Sequence, residues 1–227
     1  MGERGRGGHK PQKFETDPGE GALNFFPVLR LARALACALA LPWAAAAPAP
    51  APAVEVANLR TNQVRPGNGS PAWLETTLSL NVRPAGGGPA PVVSAVRVAV
   101  LLAFELPGPA GAARRTHAYA AAVECVALEP GRAEVRFYLP PEILKRDQIR
   151  GDPKFWGVEL TAGGEALPAA RTAYSANLGT PAARTEFQRR WAPAATANDG
   201  ILQPQHLTPF ALEYPRSTPS VVRRELR

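Results

Sequence analysis

Side chains able to carry out chemistry are scarce in this sequence. After residue 53, the rarer reactive types occur only as His117, His206, Cys125, Asp147, Asp152 and Asp199. A serine hydrolase needs serine, histidine and an acid in one site, and the nucleophile pattern G-x-S-x-G is absent. Cys125 falls in an alternating strand pattern, where a small buried hydrophobic side chain is expected. We therefore predict that the protein has no catalytic residues and is not an enzyme.

The two histidines have simpler roles than catalysis. His117 stands near the start of a predicted strand beside Arg114 and Arg115, where we expect a partly exposed side chain. His206 lies in a Pro-rich stretch, which favours a hydrogen-bonding role in a loop.

Metal-binding patterns are also missing, since there is no C-x-x-C, no H-E-x-x-H and no EF-hand loop. Asp147 and Asp152 are close enough in sequence to meet a calcium ion, but hard cations usually gather several oxygen ligands. Cap and turn roles are favoured for both aspartates. No metal and no cofactor are predicted.

Aromatic residues are the remaining candidates for binding. Trp73 is predicted on the solvent-facing side of its strand, and an exposed tryptophan can contact sugar or protein. Burial of Trp73 under the chain's C-terminal part or under a helix is the competing expectation. We predict a possible interaction surface formed by Trp73, Tyr138 and Arg136, with Trp73 or Tyr138 stacking on sugar if the ligand is a glycan.

The positive charge does not indicate nucleic-acid binding. The chain has 26 Lys and Arg against 19 Asp and Glu, a net charge of +7. Apart from short pairs such as 114–115, 189–190 and 223–224, the basic residues are scattered, whereas nucleic-acid binding usually needs charge clustered on one face. We predict no nucleic-acid partner.

The first 47 residues have the features of a leader and signal peptide. Arg30 and Arg33 precede the apolar run 34–41, Pro42 ends it, and the alanines at 44–47 suit cleavage by signal peptidase. The run is shorter than the roughly 20 residues that span a bilayer, so no transmembrane helix is expected in the mature chain. We predict export to the periplasm or cell surface.

A spacer and a single folded domain follow the predicted signal. Residues 48–53 alternate Ala and Pro, which favours a semi-rigid extended spacer. We predict a domain at 54–214, whose C-terminal part packs back through Ile201, Leu202, Leu207, Phe210 and Leu212. A flexible basic tail is predicted for 215–227.

Alternation of apolar and polar residues dominates the predicted domain. Strands are predicted at 54–56, 72–82, 92–105, 115–128, 133–139, 154–162 and 169–178, and helices at 141–149 and 181–191. The short turn at 129–131 predicts that 115–139 is a β-hairpin. About seven antiparallel strands with one or two short helices indicate an all-β, immunoglobulin-like β-sandwich, with a jelly roll or open barrel as the alternative.

The segments 198–202 (NDGIL), 203–210 (QPQHLTPF) and 155–157 (FWG) carry a resemblance. Together with the predicted strands they resemble a secreted immunoglobulin-like family of Verrucomicrobia associated with type-IV-pilus-like gene clusters. The resemblance covers most of 54–214. It implies a location at the envelope and a role in assembly or adhesion. The cleavable-looking leader departs from pilins, which favours an accessory role over that of a filament subunit.

These observations predict a non-catalytic, exported envelope protein. It would act as a structural or interaction module, accessory to pilus-like assembly or adhesion, with other envelope or pilus-like proteins as partners. The alternative is a carbohydrate- or ligand-binding β-sandwich module.

Overall fold

The computed structural model describes residues 53–67, 69–84, 92–106, 108, 113–213 and 215–222. The predicted leader, the signal peptide and most of the spacer lie outside these residues, as do 223–227. The described residues fall within the compact unit Pro48–Arg227.

The described residues form eight strands in two antiparallel four-stranded sheets, with two α-helices. The strands are β1 (Val54–Val64), β2 (Trp73–Val82), β3 (Val93–Leu106), β4 (Arg115–Leu128), β5 (Gly131–Leu139), β6 (Phe155–Ala162), β7 (Glu165–Ala166) and β8 (Gln203–Pro204). The helices are α1 (Pro141–Arg146) and α2 (Pro181–Thr196). Sheet I has the order β1-β2-β5-β8, and sheet II the order β4-β3-β6-β7.

One continuous apolar core joins the inner faces of the two sheets. It includes the fully buried Leu78 and Phe137 of sheet I and Leu102 of sheet II. Burial of each such side chain contributes about 1.5–3 kcal/mol to stability. The alternation read from the sequence places these residues on the inner faces, and the predicted all-β sandwich is confirmed.

The strand order is immunoglobulin-like with one difference from the constant-type domain. In that domain the first, second and fifth strands share a sheet with the fourth. Here β4 pairs with β3 instead, so sheet I keeps β1, β2 and β5 and sheet II gains β4.

The predicted hairpin at 115–139 is wrong. β4 pairs with β3 in sheet II, whereas β5 pairs with β2 in sheet I, so the connection between them crosses from one sheet to the other. The proline ring of Pro130 holds φ near −65° and so excludes a two-residue type I′ hairpin, which needs positive φ at both central residues. It does not exclude a three-residue hairpin loop, so the short connection by itself is compatible with either arrangement.

Several predicted elements differ from the structure in type or length. Helix α1 ends at Arg146 and not at 149, and α2 continues to Thr196 and not only to 191. Residues 169–178 are not a strand. They form 3₁₀ turns at Arg171–Ala173 and Ala176–Leu178, with a single bridge from Tyr174 to Gly157. The first strand, predicted only at 54–56, continues to Val64 because β2 pairs with it along its length.

Helix α2 packs on the outer face of sheet II. The Thr180 side chain caps its first turn by accepting from the Ala183 N–H at 3.2 Å. Phe187 and Trp191, predicted to share a face, both pack in a second apolar cluster with Leu101 of β3. A Cβ atom at Gly157 would lie 3.1 Å from the rings of both Phe187 and Tyr174, so a glycine permits this close contact.

We predict that Gly157→Ala lowers the free energy of unfolding by about 1–3 kcal/mol, because two packed rings must shift to admit the methyl group. Gly151→Ala is the matched control, since nothing lies within 4 Å of a Cβ at that position. Urea denaturation of the two variants measures the difference, and equal midpoints would contradict the proposed packing.

Candidate functional site

The three residues predicted as an interaction surface lie together, beneath the chain's own C-terminal segment. This segment, residues 201–222, is called the tail below. Tyr138 is 1% exposed and the Arg136 side chain 9%, while Trp73 is half-buried. The predicted exposure of Tyr138 and Arg136 is therefore corrected, and a partner could reach them only after the tail had moved away.

Phe210 of the tail fills the space between the two predicted aromatic residues. Its ring stacks on Tyr138 with centroids 4.6 Å apart and meets Trp73 edge-on at 6.0 Å. The Tyr138 hydroxyl donates to Glu75 at 2.9 Å. Burial, followed by this hydrogen bond to a carboxylate, raises the pKa of Tyr138 well above its usual value.

Arg136 is held in a network of charges under the tail. Its guanidinium donates to Glu134 and, at 2.7 Å, to Thr218 of the tail, and it lies 4.0 Å from Glu75. Glu134 also accepts from Arg60 at 3.3 Å and pairs with Arg132 at 3.2 Å. Because a buried charge is costly unless paired, this network stabilises the tail in place rather than offering a free cation.

The predicted burial of the apolar side chains of the tail is observed only in part. Leu202 and Phe210 are buried, but Leu207 is 57% exposed and Leu212 is 88% exposed. Gln205 ties the segment to itself, since its amide donates to the carbonyl of Phe210 at 3.1 Å and to that of Glu213.

Residues 215–222, predicted as part of a flexible tail, pair with both sheets. The Glu134 N–H of β5 donates to the Ser217 carbonyl at 2.7 Å. On sheet II, the Val126 N–H donates to Ser220 at 2.9 Å and the Val222 N–H donates to Glu124 at 2.8 Å. The tail thus covers an edge of each sheet on the same side of the sandwich.

A second polar cluster lies at the end of the sandwich, at the last turn of α1. The buried hydroxyl of Tyr119 donates to Asp147, Arg146 Nε donates to Asp147 at 2.8 Å, and His117 Nδ1 lies 3.5 Å away. Hydrogen bonds from Arg146, and then from Tyr119, hold the pKa of Asp147 below its usual value against the opposing effect of burial. His117 is partly exposed, as predicted, and Asp147 is the C-cap residue of α1, as predicted.

The other residues considered above for chemical roles have structural surroundings instead. Cys125 is fully buried, as predicted, and burial raises the pKa of its thiol to about 12, so the thiolate is disfavoured. Asp152 accepts a hydrogen bond from Thr61. Among the described residues, no group of three or more His, Cys, Asp or Glu side chains is arranged to hold a metal ion.

A groove runs over the outer face of sheet II, between β4 and the tail. Its volume is about 890 Å³, and its lining includes Ala120, Ala122, Asp199, Leu207 and Val222. The sequence offered no signal for this groove, because its walls come from segments far apart in the chain.

In the part of the chain that the structure describes, no helix is long and apolar enough to cross a membrane.

Comparison with known proteins supports the fold. No protein-family model matches this chain, and no curated protein matches it. It is similar to a protein of Akkermansia muciniphila solved by crystallography, with a TM-score of 0.60 and 18% identity. The likeness covers 77% of this chain and 94% of the other. At this identity the comparison shows a shared β-sandwich fold.

We predict that Phe210→Ala lowers the free energy of unfolding by about 3–5 kcal/mol, because it leaves a cavity against Trp73 and Tyr138. Leu212→Ala is the control and should change stability by no more than about 0.5 kcal/mol, since Leu212 is exposed. Chemical denaturation measures both variants. A Phe210 variant as stable as the Leu212 variant would contradict the role of the tail.

We predict that Asp147→Asn destabilises the protein at pH 7 and that the deficit shrinks in acid. The pKa of Asp147 is lower in the folded state, so its carboxylate contributes stability above its ordinary pKa. That contribution is lost as the pH falls through the folded-state pKa. Denaturation midpoints between pH 7 and pH 2 test this, with Asp199→Asn in an exposed turn as control. A deficit that does not change with pH would refute the assignment.

Proposed function

We propose that this protein is a non-catalytic, exported envelope module that binds other envelope proteins through the open backbone edge of β1. The observation that carries the proposal is an unpaired strand edge at residues 58–64, on a sandwich that covers much of its other edges with its own chain.

The open edge belongs to the first strand of sheet I. β1 stands at the end of its sheet, with β2 on one side. Beside its other edge, Thr172 donates to the Val56 carbonyl. From residue 58 to 64, no backbone hydrogen bond reaches that edge from any other described segment, although the Thr61 side chain contacts Asp152.

The other sheet edges differ from this one because parts of them are paired with other segments of the chain. The tail pairs with β5 at Glu134 and with β4 at Val126, as described above. On the far side of sheet II, the Ser175 N–H donates to Trp156 of β6 at 3.0 Å. Among the described residues, the β1 edge from 58 to 64 therefore lacks the backbone pairing that the tail and the segment 171–175 give to parts of the other edges.

An unpaired strand edge binds an extended peptide by adding a strand to the sheet. The seven residues 58–64 span about 24 Å, enough for a strand of ordinary length. The exposed side chains of Asn58, Arg60 and Asn62 border the edge and suit a polar partner segment. Such binding buries surface and backbone groups without transforming the partner.

The proposed setting is the periplasm or cell surface, in a role accessory to pilus-like assembly or adhesion. The predicted signal peptide and the sequence resemblance to an envelope family support this setting. The fold shared with the Akkermansia muciniphila protein is the β-sandwich that this resemblance implies.

The glycan-binding alternative requires an accessible aromatic face. Trp73 and Tyr138 both pack on Phe210, so the geometry favours the interaction module.

In-cell photo-crosslinking tests the proposal. A photoreactive residue at Asn62 should give adducts with another envelope protein, because a bound strand would lie beside it. The control position is Glu186, which is exposed on α2. We expect adducts from position 62 and at most a tenth as many from 186.

Two results would count against the proposal. Equal adducts from the two positions would show that the edge is not the binding surface. Retention on a glycan array that is lost in Trp73→Ala would favour the alternative function.

A further inference from the structure

A cavity at one end of the sandwich has a positively charged lining. It lies where β1 ends and β2 begins, and α1 with the turn that follows it forms the opposite wall. Its volume is about 330 Å³, within the range of small-ligand sites. Of the described residues that line it, Lys145 and Arg150 are the charged ones and none is acidic. An anion placed there would meet two cations and no carboxylate.

The polar side chains around this cavity, called the basic cavity below, have no acceptor of their own. Lys145 and Arg150 form no ion pair with any described residue. The side-chain amides of Gln63 and Gln148 also line the cavity and make no hydrogen bond within the described part of the chain. All four side chains are exposed, so a ligand can reach them. Ammonium, guanidinium and amide N–H groups all donate to an anionic oxygen, and the charged donors bind it most strongly.

The turn after α1 brings these donors together. The Ile149 N–H donates to the Leu144 carbonyl at 2.9 Å. The Gln148 N–H donates to the Lys145 carbonyl at 3.4 Å, and the two bonds form a Schellman motif. Gln148 has a φ of 55°, in the left-handed region where glycine is usual because a Cβ atom strains the backbone. Such strain is often kept at functional sites, and here it keeps an amide donor on the wall of the basic cavity.

The dipole of α1 gives a simpler reason for Lys145 alone, since a helix C-terminus favours a nearby cation. It does not account for Arg150, which lies beyond the helix, or for the two amides. We propose that the basic cavity binds a phosphoryl group, either of inorganic phosphate or of a lipid headgroup. A phosphoryl group offers three strong acceptor oxygens, so it can accept from several of these donors at once.

Titration of the full chain with sodium phosphate at constant ionic strength, followed by NMR, tests the proposal. We expect saturable shifts of the Gln148 and Arg150 amide signals. Arg150→Gln should weaken binding about tenfold, because it removes a charge-assisted hydrogen bond. Arg189→Gln is the matched control and should leave the affinity unchanged, since the Arg189 side chain is 75% exposed on α2 and pairs with Glu186.

The variant Gln148→Gly separates binding from a purely structural role. Glycine relieves the left-handed strain, so the midpoint of thermal unfolding should not fall. Loss of the amide should nevertheless weaken phosphate binding about threefold or more. A variant with a lower unfolding midpoint and unchanged phosphate affinity would show that Gln148 serves the turn alone, against the role assigned to it.

Cosedimentation with phosphatidylglycerol vesicles identifies the source of the phosphoryl group. If a lipid carries it, the unmodified chain should bind the vesicles at least about fivefold more tightly than Arg150→Gln. If phosphate is bound free, only the NMR titration should separate the two. The proposal is overturned if the unmodified chain and Arg150→Gln bind both probes equally, or if phosphate shifts the signals of basic residues over the whole surface alike. None of these measurements concerns the edge at 58–64, so the inference can fail while the proposed function stands.

Discussion

Backbone groups at the edges of a β-sheet need hydrogen-bond partners, and this constraint organises the molecule. A sandwich of two open sheets has four edges, and each is a template for another strand. The tail covers part of two of them, through Ser217 on β5 and through Ser220 and Val222 on β4. Segment 171–175 covers part of the other two. Much of the described chain after β7 thus serves to cover the sheets.

The tail binds the outer face of sheet I through aromatic stacking and through a hydrogen bond from a charged side chain. Phe210 stacks on Tyr138, and Thr218 accepts from Arg136, so one short segment buries an outer face that carries several charges. Arg136 and Glu134 are paired beneath it, which avoids the cost of a lone buried charge. The residues that the sequence suggests as a binding surface for another molecule instead contact a segment of the same chain.

The local pattern indicated much of the architecture. Alternation along β2, β3 and β6 placed strands within a residue or two of their observed ends, because the side-chain period of a strand is a local property. The same reasoning placed Cys125 in the core and found the start of α2 at Pro181. It failed at β4 and β5, because a short connection can join two strands of one sheet or cross between sheets.

The sequence by itself determined where β2 to β6 lie and which of their faces is apolar, since both follow from neighbouring side chains. Only the tertiary structure decided which sheet each strand joins and which outer surface stays open. Trp73, Tyr138 and Arg136 show the reason. Their burial depends on Phe210 and Thr218, more than 70 residues away along the chain, and alternation within one strand carries no information about such contacts.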